Sequence, residues 1–336
     1  MIINFRTLLV VLLLILPFLI SSKGTGKIEK RSYFFKEADK NINYCLYVPN
    51  SYSQKKKIPL IVLLHGLGSN PQQIIRYRGI VKEAESRGYI VVAPFGYNER
   101  GWYGARGKTK KGTVESLFLG ENPNDPENIG ELSEMDVMNV LRITKKEFNI
   151  DPDRIFLMGH SMGGGGTLYL GNKYSEIWAG LAPLSPALMR QTIDFNNSIL
   201  EGMRGIPIYL VTGERDRLIP VRVIREWAGK MEKLKMDFKY EEIKGGNHFN
   251  SITKNPEMME RIFDFFDQKK RNTKGVELES PLRNFTNHSG QKIRARLLSV
   301  SEGQAYLMKE DKKRVTIPID DFSEIDRKYI RDWIDE

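Results

Sequence analysis

"GHSMGGGG", residues 159–166, is the stretch on which the reading of this chain turns. Four consecutive glycines, Gly163 to Gly166, come just after Ser161. Glycine runs occur in phosphate-cradling loops, in flexible linkers and in strained catalytic turns. The preceding "RIFLMG" (Arg154 to Gly159) is an apolar run of the kind that forms a buried strand, and "GGTLYLGNKY" has the composition of a helix. Between them the spacing is G-x-S-x-G. A strand-to-helix turn that sharp leaves no room for side chains two residues before and two after its centre, so glycine stands at both. A dinucleotide loop requires G-x-G-x-x-G and a P-loop requires Gly-Lys-Ser/Thr; neither is present. The expectation is a strained turn that lifts the Ser161 hydroxyl above a sheet edge as a nucleophile. Gly164 to Gly166 are then the closely packed first turn of the helix.

A serine hydroxyl needs a general base. The chain has four histidines. His65 ends a strand, His160 adjoins the serine and is expected to point elsewhere, and His288 lies in a separate C-terminal region. His248, in "KGGNHFNS" between the last strand and last helix of the main domain, is the candidate base. The base in turn needs an acid to hold its tautomer. "IPIYLVTGERDRLIP" supplies Glu214 and Asp216 just past a strand. Asp216 is preferred, because an acid a little beyond the strand end has room to reach the histidine loop; Glu214 is the alternative. The order Ser161, Asp216, His248 along the chain is that of α/β hydrolases. For the oxyanion, the N–H of Met162, next to the nucleophile, and that of Leu67 in "HGLGSN" are the expected donors.

Around these residues the pattern alternates. "YFFKEADKNINYCLYVP" reads as a hairpin turning at Asp39 to Asn43, with Cys45 as a buried strand residue. Ile58 to Leu64 and Tyr89 to Pro94 read as strands buried on both faces, with helix around Gln72 to Ser86. "SEMDVMNVLRITKKEF" (Ser133 to Phe148) reads as an amphipathic helix with Ser133 at its cap and Asp136 in a capping-box position. "WAGLAPLS", "IPIYLVTG" and "FKYEEI" are further strands, and "PVRVIREWAGKMEKLK" and "NPEMMERIFDFFDQKKR" further helices. This is an α/β fold: a mostly parallel, doubly wound sheet with an N-terminal antiparallel hairpin. Residues 97–132 read as a long loop without clear periodicity, a kind that is usually functional or mobile. In it Trp102 and Tyr103 are candidates to stack on a sugar or aromatic acyl group, or to anchor the loop. Lys108, Lys110 and Lys111 read as a solvated loop tip, attraction of an anionic substrate being the alternative.

The N-terminal "MIINFRTLLVVLLLILPFLISSKG" has the layout of a signal peptide over residues 1–24, an uncleaved anchor being the alternative; secretion or periplasmic export is expected. With one cysteine, no internal disulfide is available. The net charge of +10 is spread without a long basic tract, so a solvated basic surface rather than nucleic-acid binding is expected. No cofactor or metal is expected. Gln268 to Ser280 reads as a linker, and the remainder as a small β domain with a terminal helix capped by Ser323.

On "LLHGLGSN", "GWYG", "SEMDVMNVL", "IDPDRIFLMGHSMGGGGTLYL" and "WAGLAPLS", the chain resembles the α/β-hydrolase superfamily over about residues 30–268. Within it the chain is most similar to secreted esterases: poly(hydroxyalkanoate) depolymerases, feruloyl and acetylxylan esterases, and prolyl-oligopeptidase-type hydrolases. The resemblance implies acyl transfer through a Ser-His-Asp triad, with a small-molecule or polysaccharide ester as substrate. Small-peptide cleavage is the alternative within hydrolases, and a non-catalytic envelope-binding protein the alternative outside them. "PLRNFTNHSGQKIRARLLSV" and "VTIPIDDFSEIDRKYI" are similar to the SLA1 homology domain 1, an SH3-like small barrel, for which a protein or glycan ligand is the expectation.

Overall fold

A computed structural model describes residues 24–108, 122–187, 197–271, 280, 282–301, 303–311 and 314–335. The expected signal peptide, Lys110 and Lys111, and most of the expected linker lie outside the described residues. Eight strands form the main sheet: β1 (Ile28–Phe35), β2 (Lys40–Tyr47), β3 (Ile58–Leu64), β4 (Ile90–Pro94), β5 (Ile150–His160), β6 (Gly180–Leu184), β7 (Ile208–Gly213) and β8 (Phe238–Ile243), in the order β1-β2-β4-β3-β5-β6-β7-β8. β1 and β2 pair antiparallel, as do β2 and β4; every pair from β4 to β8 is parallel.

The apolar runs account for the parallel core. All seven residues of β3 and all five of β4 are buried. Leu60, Val62 and Leu64 join one apolar cluster and Ile61 and Leu63 the other, because alternate side chains leave opposite faces of a strand. Helices Ile129–Glu147, Met162–Lys173 and Val221–Lys233 cover the first face, and Ile80–Arg87 and Pro256–Asp267 the second. Each buried aliphatic side chain contributes about 1.5–3 kcal/mol of transfer free energy.

Three local readings are corrected. The hairpin turns earlier than Asp39 to Asn43: Lys36–Ala38 make a short 3-10 turn, Asp39 takes a left-handed backbone, and Phe35 pairs with Lys40. β5 starts at Ile150, with a register shift against β3 ahead of the apolar run. The helix expected from Ser133 starts at Ile129, so Ser133 and Asp136 are buried inside it rather than capping it. Their polar groups serve neighbouring segments of the chain. Ser133 Oγ accepts the Tyr103 N–H at 2.9 Å, and Asp136 accepts the Tyr33 hydroxyl and the Gly96 N–H, both at 2.6 Å. Burial pushes the Asp136 carboxyl up to about 6, against the pull of those donors. Cys45 is a buried free thiol, as expected.

Four C-terminal strands, β9 (Arg283–Thr286), β10 (Lys292–Ser301), β11 (Gln304–Lys309) and β12 (Arg314–Pro318), form a separate antiparallel sheet in the order β12-β11-β10-β9. It has its own core of Phe285, Ala295, Leu297, Ala305, Leu307, Phe322 and Ile330. Ser323 caps the last helix: its Oγ accepts the Asp326 N–H at 3.3 Å.

Candidate active site

β3 sends the chain to β4 on one side and lies against β5 on the other, so the strand order switches there. Ligands bind open α/β sheets beyond the carboxyl ends of strands at such a switch. Here "HGLG" follows β3 and Ser161 follows β5. Ser161 has φ +58° and ψ −115°, a conformation that costs a non-glycine residue about 1–3 kcal/mol. Close packing holds it there. A Cβ on Gly159 would meet the Gly163 carbonyl oxygen at 2.2 Å, and one on Gly163 would meet that of Leu64 at 2.1 Å. The next three glycines are also crowded, with nearest atoms at 2.6–2.7 Å, but not by the sheet alone. Gly164 abuts Pro186 and Leu184, Gly165 the Ala187 carbonyl, and Gly166 the Tyr103 ring.

The residues expected to act together do converge. His248 and Asp216 are both buried, and His248 Nδ1 donates to Asp216 Oδ2 at 2.7 Å. The other carboxylate oxygen of Asp216 accepts the N–H groups of Leu218 and Ile219 at 3.0 and 2.8 Å. Burial alone would raise the Asp216 carboxyl; the His248 ring, the Ile219 N–H and its other donors outweigh it and hold the group below its usual range. Glu214 is engaged elsewhere, accepting the Gly245 N–H at 2.6 Å and so bracing the histidine loop. Of the two acids, only Asp216 is hydrogen-bonded to His248 among the described residues.

Ser161 and His248 line one cavity of about 520 Å³, together with Leu67, Gln73, Tyr77, Trp102, Leu218 and Phe249 among others. On the "HGLG" loop the Gly68 N–H donates to the Glu99 carbonyl and the Ser69 N–H to that of Gly66, while among the described residues the Leu67 N–H meets no backbone acceptor. Met162 opens the helix after Ser161, where backbone N–H groups lack helical acceptors. Leu218 and Phe249, 46% and 58% exposed, give the cavity an apolar rim.

Trp102 and Tyr103 part ways. Trp102 lines the cavity, and its Nε1 is buried without a hydrogen-bond partner among the described residues. Tyr103 is corrected: it is wholly buried, its ring packed on Gly166 and its hydroxyl donating to the His65 carbonyl at 3.0 Å. It supports the "HGLG" loop from below and cannot stack on a substrate. Lys108 pairs with Glu127 at 2.9 Å. Sequence reasoning missed Tyr77, Leu218 and Phe249. The last two adjoin Asp216 and His248 in their loops, where an apolar residue beside a catalytic candidate is a usable signal; Tyr77 carries none. Among the described residues no group of three or more His, Cys, Asp or Glu side chains is placed to hold a metal. Among them, too, no helix is long and apolar enough to cross a membrane.

A strained serine turn after β5, an acid after β7 and a histidine after β8 on a mostly parallel sheet form the arrangement of an α/β hydrolase. A family model described as putative esterase matches residues 36–253, and the chain belongs to that family. It is 26% identical over 174 residues to a bifunctional acetylxylan esterase/xylanase from Neocallimastix patriciarum, covering 52% of this chain and 21% of that one. It is 28% identical over 153 residues to S-formylglutathione hydrolase from Rattus norvegicus, covering 43% and 51%. The chain thus spans about half or less of these curated relatives. Among solved structures it is similar to a ferulic acid esterase from Anaeromyces mucronatus in complex with ferulic acid, with a TM-score of 0.54, 16% identity and coverage of 72% and 90%. It is also similar to an S-formylglutathione hydrolase from Agrobacterium tumefaciens, with a TM-score of 0.55, 14% identity and coverage of 74% and 98%. At these identities the structures speak for the fold.

Proposed function

We propose that this chain is a serine carboxylester hydrolase in which Ser161 is the nucleophile, His248 the general base and Asp216 its orienting acid. The observation that carries this is the strained Ser161 backbone opening into the same cavity as His248, whose ring is gripped by Asp216. Ser161 Oγ attacks the acyl carbonyl while His248 takes its proton. The Leu67 and Met162 N–H groups receive the oxyanion, and His248 returns the proton to the leaving alcohol. Water, deprotonated by His248, then frees the acid and restores Ser161. The apolar rim of Leu218 and Phe249 and the indole of Trp102 favour short acyl or aryl esters, including esters of polysaccharides.

A fluorophosphonate probe tests the assignment: it is expected to label the folded protein and to fail with Ser161→Ala. Labelling that survives this change removes Ser161 from the role. Comparing kcat/KM for acetyl, feruloyl, hydroxyalkanoate, S-formylglutathione and prolyl-amide substrates then separates esterase, thioesterase and peptidase.

The separate core of the C-terminal sheet supports reading residues 281–336 as a module of the SLA1 homology domain 1 type, joined through 268–280 and binding a protein or glycan surface. Removal of residues 273–336 is expected to leave small-ester turnover intact. The N-terminal signal layout supports export from the cytoplasm, which the mature N-terminus of secreted material tests.

A further inference from the structure

His160 closes β5 immediately before Ser161, and its imidazole is buried. Its two ring nitrogens meet different partners. Nε2 lies 2.9 Å from the His248 carbonyl oxygen, and Nδ1 lies 3.0 Å from the Tyr77 hydroxyl. A carbonyl oxygen only accepts, so Nε2 carries the proton and donates. Burial, helped by the neighbouring His248, pushes His160 down to about 3, so near neutral pH the ring is uncharged and Nδ1 is an acceptor. Burial also pushes the Tyr77 phenol up to about 12, which keeps its proton in place for donation. Only one assignment of donors satisfies all three groups: Tyr77 O–H to His160 Nδ1, and His160 Nε2–H to the His248 carbonyl.

We propose that His160, oriented by Tyr77, is a positioning residue that grips the backbone of His248 and so sets where the base stands relative to Ser161. This rests on His248 being the base. Asp216 holds the His248 side chain at a single atom, Nδ1. Upstream, the loop is tied by Gly245 to Glu214 and by the Gly246 carbonyl to the Arg215 N–H. The His248 carbonyl is held by His160. A ring fixed at one point can pivot; a second grip on its backbone removes that freedom. Because His160 belongs to the strand end that presents Ser161, base and nucleophile are both referenced to one rigid element. The His160 and His248 rings lie 5.0 Å apart at 33°, so the contact is also a packed one. Tyr77 lines the cavity, so its ring links bound substrate to this grip.

The test is a set of variants assayed on p-nitrophenyl acetate. His160→Leu keeps bulk and removes both hydrogen bonds; kcat is expected to fall about 10²-fold, as for a misplaced catalytic group, while KM moves less than about twofold. His160→Gln can return an N–H donor to the His248 carbonyl and is expected to recover kcat to within about tenfold of the parent. Tyr77→Phe is expected to lower kcat about fivefold. In proton NMR, the downfield His248 Nδ1–H signal should persist in the parent and His160→Gln and broaden in His160→Leu. A parental kcat in a folded His160→Leu overturns the proposal. So do equal losses in the Leu and Gln variants with the downfield proton unchanged in both. If His160→Leu does not fold, Tyr77→Phe decides: the fivefold loss supports the proposal and parental kcat overturns it. Ser161→Ala and His248→Ala run alongside. Activity surviving either of those sinks the triad itself, whereas their inactivity beside an unimpaired His160→Leu sinks only the positioning role.

Discussion

Gly163 lies so close to the Leu64 carbonyl that a methyl group on its Cα would stand 2.1 Å from that oxygen. The helix that opens at Met162 is thus pressed onto the end of β3, whose following loop carries Leu67, and the two expected oxyanion donors are tied together through backbone. Gly163→Ala must push them apart. It is expected to lower stability by at least about 2 kcal/mol, as overpacking does, and to reduce kcat by about 10²-fold or more. Gly229, in the helix Val221–Lys233, has no atom within 4 Å of its would-be Cβ. Gly229→Ala is expected to raise stability by about 0.5–1 kcal/mol with unchanged kinetics. Urea midpoints and steady-state assays of the pair check both signs.

The division of labour between two neighbouring acids gives a second test. The Asp216 carboxylate bonds to His248, whereas the Glu214 carboxylate accepts the Gly245 N–H. Asp216→Asn is expected to cut kcat by about 10³- to 10⁴-fold with little change in KM, since the base is then held in the wrong tautomer. Glu214→Gln, which loses one charge-assisted hydrogen bond to a loop, should cost about tenfold or less. Equal losses for the two would put the acid's role in doubt.

Adjacent aromatic residues should separate in their effects. Tyr103→Phe leaves the buried His65 carbonyl without its hydroxyl donor, so stability should drop by about 1–3 kcal/mol while KM is unchanged. Trp102→Ala opens the cavity wall, so KM for aryl esters should rise about tenfold, with a smaller rise for acetyl esters. Denaturation curves and a two-substrate KM comparison measure this.

His160 predicts a pH dependence of stability. Its folded-state value of about 3 lies below the ordinary 6.5. Between those two values the unfolded chain binds a proton that the folded chain refuses, so stability falls as pH drops through that window and is restored above it. Asp136, raised to about 6, acts in the opposite sense, taking up a proton in the folded state as pH falls below that value. His160→Gln removes the first effect. Its stability between pH 4.5 and 6.5 should lose acid sensitivity by up to about 1.4 kcal/mol per pH unit, measured by urea midpoints.

Much of this site was legible because α/β hydrolases place chemistry at strand ends in a set order. Ser161 and Asp216 each follow an apolar run that reads as a buried strand, "HGLG" follows another, and His248 follows the half-exposed alternating strand "FKYEEI". The structure brings these residues to one side of the sheet. What failed to show in the sequence was burial of polar groups by partners distant in the chain. Ser133 and Asp136 look like a helix start because nothing local says that Tyr103, Gly96 and Tyr33 will claim them. Tyr103 beside Trp102 looks like a matched stacking pair, yet consecutive left-handed residues send one ring to the cavity and the other beneath Gly166. His160 looks idle in the sequence because its partners, Tyr77 and the His248 carbonyl, are more than 80 residues away on either side.

The crowding of Gly163 to Gly166 also limits how this protein can diversify. Each position is walled by backbone or a buried ring, so the floor of the site has almost no mutational freedom. Leu218 and Phe249 stand half-open at the rim, and Trp102 lines the wall with the Arg106 guanidinium 5.1 Å from its ring centroid. New substrate preferences, whether selected in nature or in the laboratory, therefore have to be written into those three side chains and the loops that carry them.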